Sequence, residues 1–166
     1  MDEAQAVIVG GGIAGASIAY HLTDLGWTDV VLAERSDLTS GSTFHSAGLV
    51  GQLRSSMSLT RMMMYSVELY RWLQAETGVD PGWHEVGSLR LASSGERIEE
   101  LQRLVGWGRT FGLPLEVVSV EEAVDRFPLF DPRDVQGAAY LPTDGYVDPS
   151  GLTMALAEGA RRRGCR

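Results

Sequence analysis

The spacing of apolar and polar positions changes several times along the 166-residue chain, and each change marks an element. Residues 4 to 10, AQAVIVG, form a short apolar run closed by glycine, and VVLAE from Val30 to Glu34 forms a second, so both predict strands. Between them Ala14, Ile18, Leu22 and Leu25 recur at helical spacing, which predicts a helix that buries this face and ends at Gly26. Strand, helix and strand in that order predict a βαβ unit, whose crossover makes the two strands parallel.

A long helix is expected next, capped by Ser58 or a neighbour, with Leu59, Met63, Val67 and Tyr70 on one side. The run Met62 to Met64 within it reads as core filling rather than a metal or partner site. VGSLRLA, residues 86 to 92, alternates like a half-buried strand, and Ile98, Leu101, Leu104 and Val105 return to helical spacing. Ser119 and Glu122 form a capping box for a short helix that stops before Pro128. VQGAAYL, residues 135 to 141, predicts another strand. Asp148 followed by Pro149 is an N-cap with proline at the first helical position, opening a helix to about Arg163. Two parallel strands alone leave edges unpaired, and a helix ending in RRRGCR should feed a further strand. The chain therefore reads as the N-terminal part of a larger enzyme.

Charge and composition narrow the function. With 14 Lys and Arg against 22 Asp and Glu the net charge is −8, which argues against a nucleic-acid partner. The basic run Arg161 to Arg163 with Arg166 reads as a solvated helix end, where cations suit the helix dipole. Cys165 is the single cysteine, so there is no intramolecular disulfide and no Cys-x-x-Cys metal or redox pair. Mean hydropathy is −0.04 and no apolar run approaches the roughly 20 residues of a membrane span. The start, MDEAQAVIVG, has neither a basic signal-peptide region nor an Arg-rich presequence, so a cytoplasmic protein is expected.

Gly10, Gly12 and Gly15 stand in G-x-G-x-x-G register after a predicted strand and at the start of a predicted helix. In that setting Gly10 permits the tight turn, Gly12 lets backbone approach a pyrophosphate, and Gly15 lets helix and strand pack closely. The amides and dipole of the helix start attract phosphate. Glu34 ends the second strand, where its carboxylate can accept hydrogen bonds from ribose hydroxyls and would repel a 2′-phosphate. Arg35 beside it reads as an adenosine-side or surface residue. These features serve NAD and FAD equally, and a nicotinamide-dependent dehydrogenase stays open at this point. So does a non-catalytic, truncated nucleotide-binding module.

The stretch TSGSTFHSAG, residues 39 to 48, sets His45 among small residues. A loop histidine by itself reads as a solvated or hydrogen-bonded side chain. His21 reads as a surface residue, and His84 beside Trp83 as structural, with the border of a substrate pocket as its alternative. Taken with ERSDL before it and LVGQLR after it, with GWHEVGSLRLA and with DGYVDPSGLTMALAEGARRRG, the segment resembles the FAD-dependent amine oxidoreductases of the D-amino acid oxidase superfamily. The likeness runs from about Ala4 to Gly164 and is greatest to the dimethylglycine and sarcosine dehydrogenase branch.

The resemblance implies an α/β fold in which a Rossmann-like FAD-binding βαβ unit is followed by the start of a mixed α+β substrate domain, an incomplete two-domain fold. It places residues 1–56 and 147–166 in the discontinuous FAD-binding domain, and 57–146 in a connecting helix and the start of the substrate domain. It implies that FAD is carried covalently on His45 through the flavin 8-methyl group, with non-covalent contact as the alternative. The family pattern falls on Thr39, Gly41, Ser42, Thr43, His45, Ala47 and Gly48, with Phe44 and Ser46 as variants. Imidazole, with an ordinary pKa near 6.5, is largely neutral and nucleophilic around pH 7. Ser42 and Thr43 are expected at the pyrophosphate or ribityl chain. The implied substrates are secondary or tertiary N-methyl amines such as dimethylglycine or sarcosine, with tetrahydrofolate at a domain absent here. The family's catalytic residues fall beyond Arg166, so none is assigned, and the chain alone is expected to be inactive.

Overall fold

The computed structural model describes residues 3–166. In chain order the elements are β1 (Ala6–Val9), α1 (Ile13–Asp24), β2 (Val30–Ala33), a 3-10 turn at Ser42–His45, β3 (Leu49–Val50), α2 (Met57–Thr77), β4 (His84–Glu85), β5 (Ser88–Ala92), α3 (Gly95–Arg109), β6 (Glu116–Val118), α4 (Val120–Arg126), β7 (Gly137–Leu141), β8 (Gly145–Tyr146) and α5 (Pro149–Arg162). No helix among the described residues is long and apolar enough to cross a membrane. Two compact units emerge. One comprises the chain through Leu49, Ser66–His84 and Tyr146–Arg166; the other comprises Val50–Tyr65 and Glu85–Gly145. Residues 57–65 of α2 belong to the second of these units and residues 66–77 to the first.

In the first unit β1 and β2 pair in parallel, Ala6 opposite Val30 and Val9 opposite Ala33, with α1 as the crossover. The buried face of α1 is not the one its large residues predict. Ile18 is 50% and Leu25 76% exposed, whereas Gly15, Ala16, Ala19, Tyr20 and Thr23 are buried. Helical spacing identifies an apolar face but not the neighbour that covers another. Here α1 packs on α5 through small residues: a Cβ on Gly159 would come within 2.7 Å of the Tyr20 ring. Leu152, Ala155, Leu156 and Ala160 of α5 complete this layer, and a fully buried leucine contributes about 1.5–3 kcal/mol. Asp148 caps α5 as expected, accepting from the Ser150 amide at 3.1 Å and the Gly151 amide at 3.0 Å, with Pro149 next.

The basic end of α5 is only partly solvated. Arg161 and Arg162 pair with Glu158 at 2.7 and 2.8 Å, but Arg163 lies over the Tyr20 ring at 4.6 Å and pairs with Glu76 and Asp24. The Tyr20 hydroxyl donates to Glu76 at 2.6 Å; burial, reinforced by that bond, pushes its pKa up to about 12. Three separate segments, α1, the end of α2 and the end of α5, are thereby fastened together. His21 is half-buried rather than fully at the surface, its Nδ1 2.7 Å from the Ser17 carbonyl oxygen.

The second unit is built on an antiparallel sheet in the order β5, β7, β6. Ser88 faces Leu141, Ala92 faces Gly137 and Glu116 faces Tyr140. On one face Leu101 and Val105 of α3 pack with Ala92, Ala139 and Leu141. On the other, Leu89 and Tyr140 pack around Val118, Ala138 and Ala123. The predicted capping box opens α4: the Glu122 amide donates to Ser119 Oγ at 3.1 Å, and the Ser119 amide to the Glu122 carboxylate at 2.8 Å.

The long helix α2 needs correction in detail. Its buried positions are Thr60, Val67, Leu73 and Thr77, while Leu59 is 45% and Met62 54% exposed, so the methionine run is not uniformly core. Two of the buried residues are threonines because their hydroxyls bond back to backbone, Thr60 to Ser56 at 2.9 Å and Thr77 to Leu73 at 2.7 Å. Asp144 is fully buried and was not singled out by sequence. Its Oδ1 accepts from the Gln52 amide at 2.8 Å and Gln52 Nε2 at 3.2 Å, and its Oδ2 from Ser88 Oγ at 2.7 Å.

Candidate functional site

Where β1 ends, the chain turns on Gly10, which has φ +109° and still donates its amide to Ala33 at 2.8 Å. A Cβ on Gly15 would lie 1.9 Å from the Gly10 carbonyl oxygen, so α1 can begin this close to β1 only with glycine there. Gly12 is the helix N-cap and contributes no side-chain cap. The oxygen offered to the first turn comes instead from Thr43, whose Oγ1 accepts from the Ile13 amide at 3.0 Å. That bond brings the 3-10 turn against the glycine loop: a Cβ on Gly12 would meet Thr43 Oγ1 at 2.9 Å.

Gly10, Gly12, Gly15, Glu34, Ser42 and Thr43 all border one cleft of about 400 Å³ within the first unit. Backbone amides, a helix start without acidic residues in its first turn, and the three hydroxyl residues Thr39, Ser42 and Thr43 line it beside the Glu34 carboxylate, and the amides and hydroxyls have the chemistry of an anion cradle. Gly12 leaves room for a pyrophosphate, because a side chain there would fill the space beside Thr43. Gly11, absent from the motif reading, is constrained as well. Its Cβ would clash with Leu38 Cδ2 at 2.4 Å, and its amide donates to Glu34 Oε2 at 2.6 Å.

Glu34 also accepts from the Ser36 amide at 2.9 Å. The Gly11 bond, then the Ser36 bond, hold its pKa below the ordinary carboxylate value. A depressed folded-state pKa contributes stability that is present above the unfolded value and lost as pH falls through the folded one. Glu34→Gln is therefore expected to flatten the acid side of the melting-temperature profile between roughly pH 6 and 3, relative to the parent chain. Parallel thermal melts across that range check it.

The remaining predicted residues lie outside this cleft or on its rim. Arg35 is exposed. His45 ends the 3-10 turn with an exposed side chain, its ring edge-on to Phe44 at 5.3 Å, and does not line the cleft. Ala47 is exposed, and Gly48 is buried at φ +70° with no room for a Cβ, which would stand 2.1 Å from the Val147 carbonyl oxygen. The Gly48 carbonyl accepts from the Val147 amide at 2.9 Å, so this glycine anchors the histidine loop to the segment leading into α5. Thr39 carries φ +72°, a costly conformation for a β-branched residue, and borders the cleft. His84 is exposed and stacks on Tyr146 at 4.8 Å.

Comparison with known proteins gives the family. Human dimethylglycine dehydrogenase, named as mitochondrial, is 43% identical over 98% of the chain; the match takes 19% of that protein. The mouse pyruvate dehydrogenase phosphatase regulatory subunit is 39% identical over 98% of the chain and 18% of its own length. Among solved structures, L-proline dehydrogenase from P. horikoshii superposes with TM-score 0.91 and 32% identity, over 99% of this chain and 43% of that one. The chain thus spans less than a fifth of the first two relatives. The family described as FAD dependent oxidoreductase, abbreviated DAO, matches residues 5–166, which goes against the nicotinamide alternative. The chain belongs to the DAO family of FAD-dependent oxidoreductases.

Proposed function

We propose that this chain is the FAD-binding portion of an oxidoreductase that oxidises N-methyl amines such as dimethylglycine or sarcosine, with His45 as the point of covalent flavin attachment. The observation that carries the proposal is the Gly12, Ile13 and Thr43 arrangement, in which a helix start capped from a separate loop borders a cleft fit for pyrophosphate. The class of amine follows from the names of the related dimethylglycine and sarcosine dehydrogenases.

In this reading Gly10, Gly12 and Gly15 admit the pyrophosphate to the first-turn amides. Thr43 accepts from Ile13 and directs its own hydroxyl proton to a phosphate oxygen, with Ser42 beside it. Glu34 uses its remaining lone pairs for ribose hydroxyls, and Arg35 stands on the adenosine side. Ala47 and Gly48 keep the chain after His45 narrow and fixed. Bound FAD supplies the hydride acceptor for the carbon next to the amine nitrogen, while the protein binds and orients it. His45, exposed at the end of the 3-10 turn, would offer an imidazole nitrogen to the 8α carbon of bound flavin, a two-electron oxidation in which one proton would leave each partner and the electron pair would pass to dioxygen.

His45→Ala is expected to abolish flavin that survives acid precipitation while leaving flavin that dialyses away. Visible absorbance of pellet and dialysate checks both arms, and acid-stable flavin on the variant would refute the role of His45. Likeness to a regulatory subunit favours a second reading, a non-catalytic nucleotide-binding module. That reading requires no attachment at His45, and the same experiment separates the two. The 166-residue chain by itself is proposed to hold flavin without turnover, which assays with sarcosine or dimethylglycine and an artificial electron acceptor would test.

A further inference from the structure

The second unit contains a cleft of about 590 Å³ that shares no residue with the glycine-loop cleft. Leu53 and Arg54 border it from the loop after β3, Arg90 from β5, and Glu100, Leu104 and Trp107 from α3. Its charges are unevenly matched. Among the described residues no carboxylate lies within ion-pair distance of Arg54 or Arg90, whereas Glu100 is already engaged by Arg97. In a chain with eight more acidic than basic residues, Arg54 and Arg90 thus put two guanidinium groups without an acidic partner on one cleft, a place where an anion would be favoured.

The geometry also holds these arginines in place. Arg90, which borders the cleft, donates Nη2 to the Leu53 carbonyl at 3.2 Å and has its other guanidinium donors free of any partner among the described residues. The Trp107 indole nitrogen donates to the Arg54 carbonyl at 3.3 Å and thereby fixes the backbone that carries Arg54. Its N–H being engaged, Trp107 offers ring surface rather than a donor. With Leu53 and Leu104 it gives the cleft an apolar wall.

We propose that this cleft binds a small monocarboxylate, its carboxylate held by the forked donors of Arg54 and Arg90 and its body laid against Leu53, Leu104 and Trp107. Guanidinium donors match a planar carboxylate two to one, and Glu100 on the same rim disfavours a ligand of higher negative charge such as phosphate. The amine substrates of the preceding section carry such a carboxylate, and so do uncharged-tail acids of the same shape. The site does not depend on the flavin reading, since it is formed entirely within the second unit.

The test titrates the flavin-free 166-residue chain with dimethylglycine, with its carbon isostere 3-methylbutanoate, and with inorganic phosphate, following heat and tryptophan fluorescence. Saturable binding of at least one of the two carboxylates is expected, tighter than phosphate, and weakened roughly tenfold or more in both Arg54→Gln and Arg90→Gln. Arg161→Gln, in the other unit and outside both clefts, should leave it unchanged. Preference for dimethylglycine would assign its ammonium to Trp107 and Glu100; equal or better binding of 3-methylbutanoate would assign the affinity to the carboxylate and apolar wall alone. Arg54 is exposed, so its variant keeps the test valid if Arg90→Gln unfolds the chain. Failure of both carboxylates to bind saturably, phosphate binding more tightly, or an affinity untouched by Arg54→Gln would overturn the proposal.

Discussion

Gly15→Val is expected to eliminate FAD retention and to destabilise the chain by about 3 kcal/mol or more. The first added carbon alone would stand 1.9 Å from the Gly10 carbonyl oxygen of the βα turn and 3.3 Å from Leu32 Cδ1 of β2. Relief requires α1 to move away from β1, which withdraws the first-turn amides and breaks the Ile13 to Thr43 bond. Gly41→Ala provides the control. Gly41 borders the same cleft, but an added Cβ there meets no atom within 4 Å, so the loss should stay below about 1 kcal/mol. Urea unfolding and flavin absorbance on the two variants give both numbers. Equal behaviour would mean that the turn tolerates the displacement and that close strand–helix packing does not build the site.

Asp144→Ala is expected to cost about 3–5 kcal/mol without touching the glycine loop. Truncation removes the acceptor from the Gln52 amide, from Gln52 Nε2 and from the Ser88 hydroxyl at once, in a place where Asp144 is 1% exposed. Asp144→Asn should cost less, about 1–2 kcal/mol, because an amide oxygen still accepts from Gln52 and the Ser88 hydroxyl can turn to accept from the new NH₂ group. Chemical denaturation of the pair measures the difference. Similar, small losses for both would show that the buried carboxylate does not organise the segment around Gln52.

These two residues show what the sequence discloses and what it conceals. Gly15 was legible because a short-range pattern of glycines between a strand and a helix has a local mechanical cause. Asp144 was not, since its partners lie 92 and 56 residues away and only the folded chain brings them together. The caps at Ser119 and Asp148 were legible for the same local reason as Gly15. The buried face of α1 is not marked by its large residues Ile18 and Leu25, because α5 approaches at Tyr20 through Gly159 and the Gly10 carbonyl leaves no side-chain room at Gly15. In the site, Glu34 and Thr43 were named for a ligand, yet each also has a structural partner in the loop, Gly11 for one and Ile13 for the other. Gly48 was named with them, and its backbone packs on Val147. A motif thus reports that residues act together, but not which of them face the cleft.

In the function we propose, the first unit holds FAD through the glycine-loop cleft and His45 carries it covalently. The most direct test is the intact mass of the acid-denatured chain after expression with excess FAD, followed by fragmentation to locate any adduct. The account predicts an FAD-sized increment on His45. An unmodified mass from a folded, flavin-saturated sample, or an increment on another residue, would contradict it.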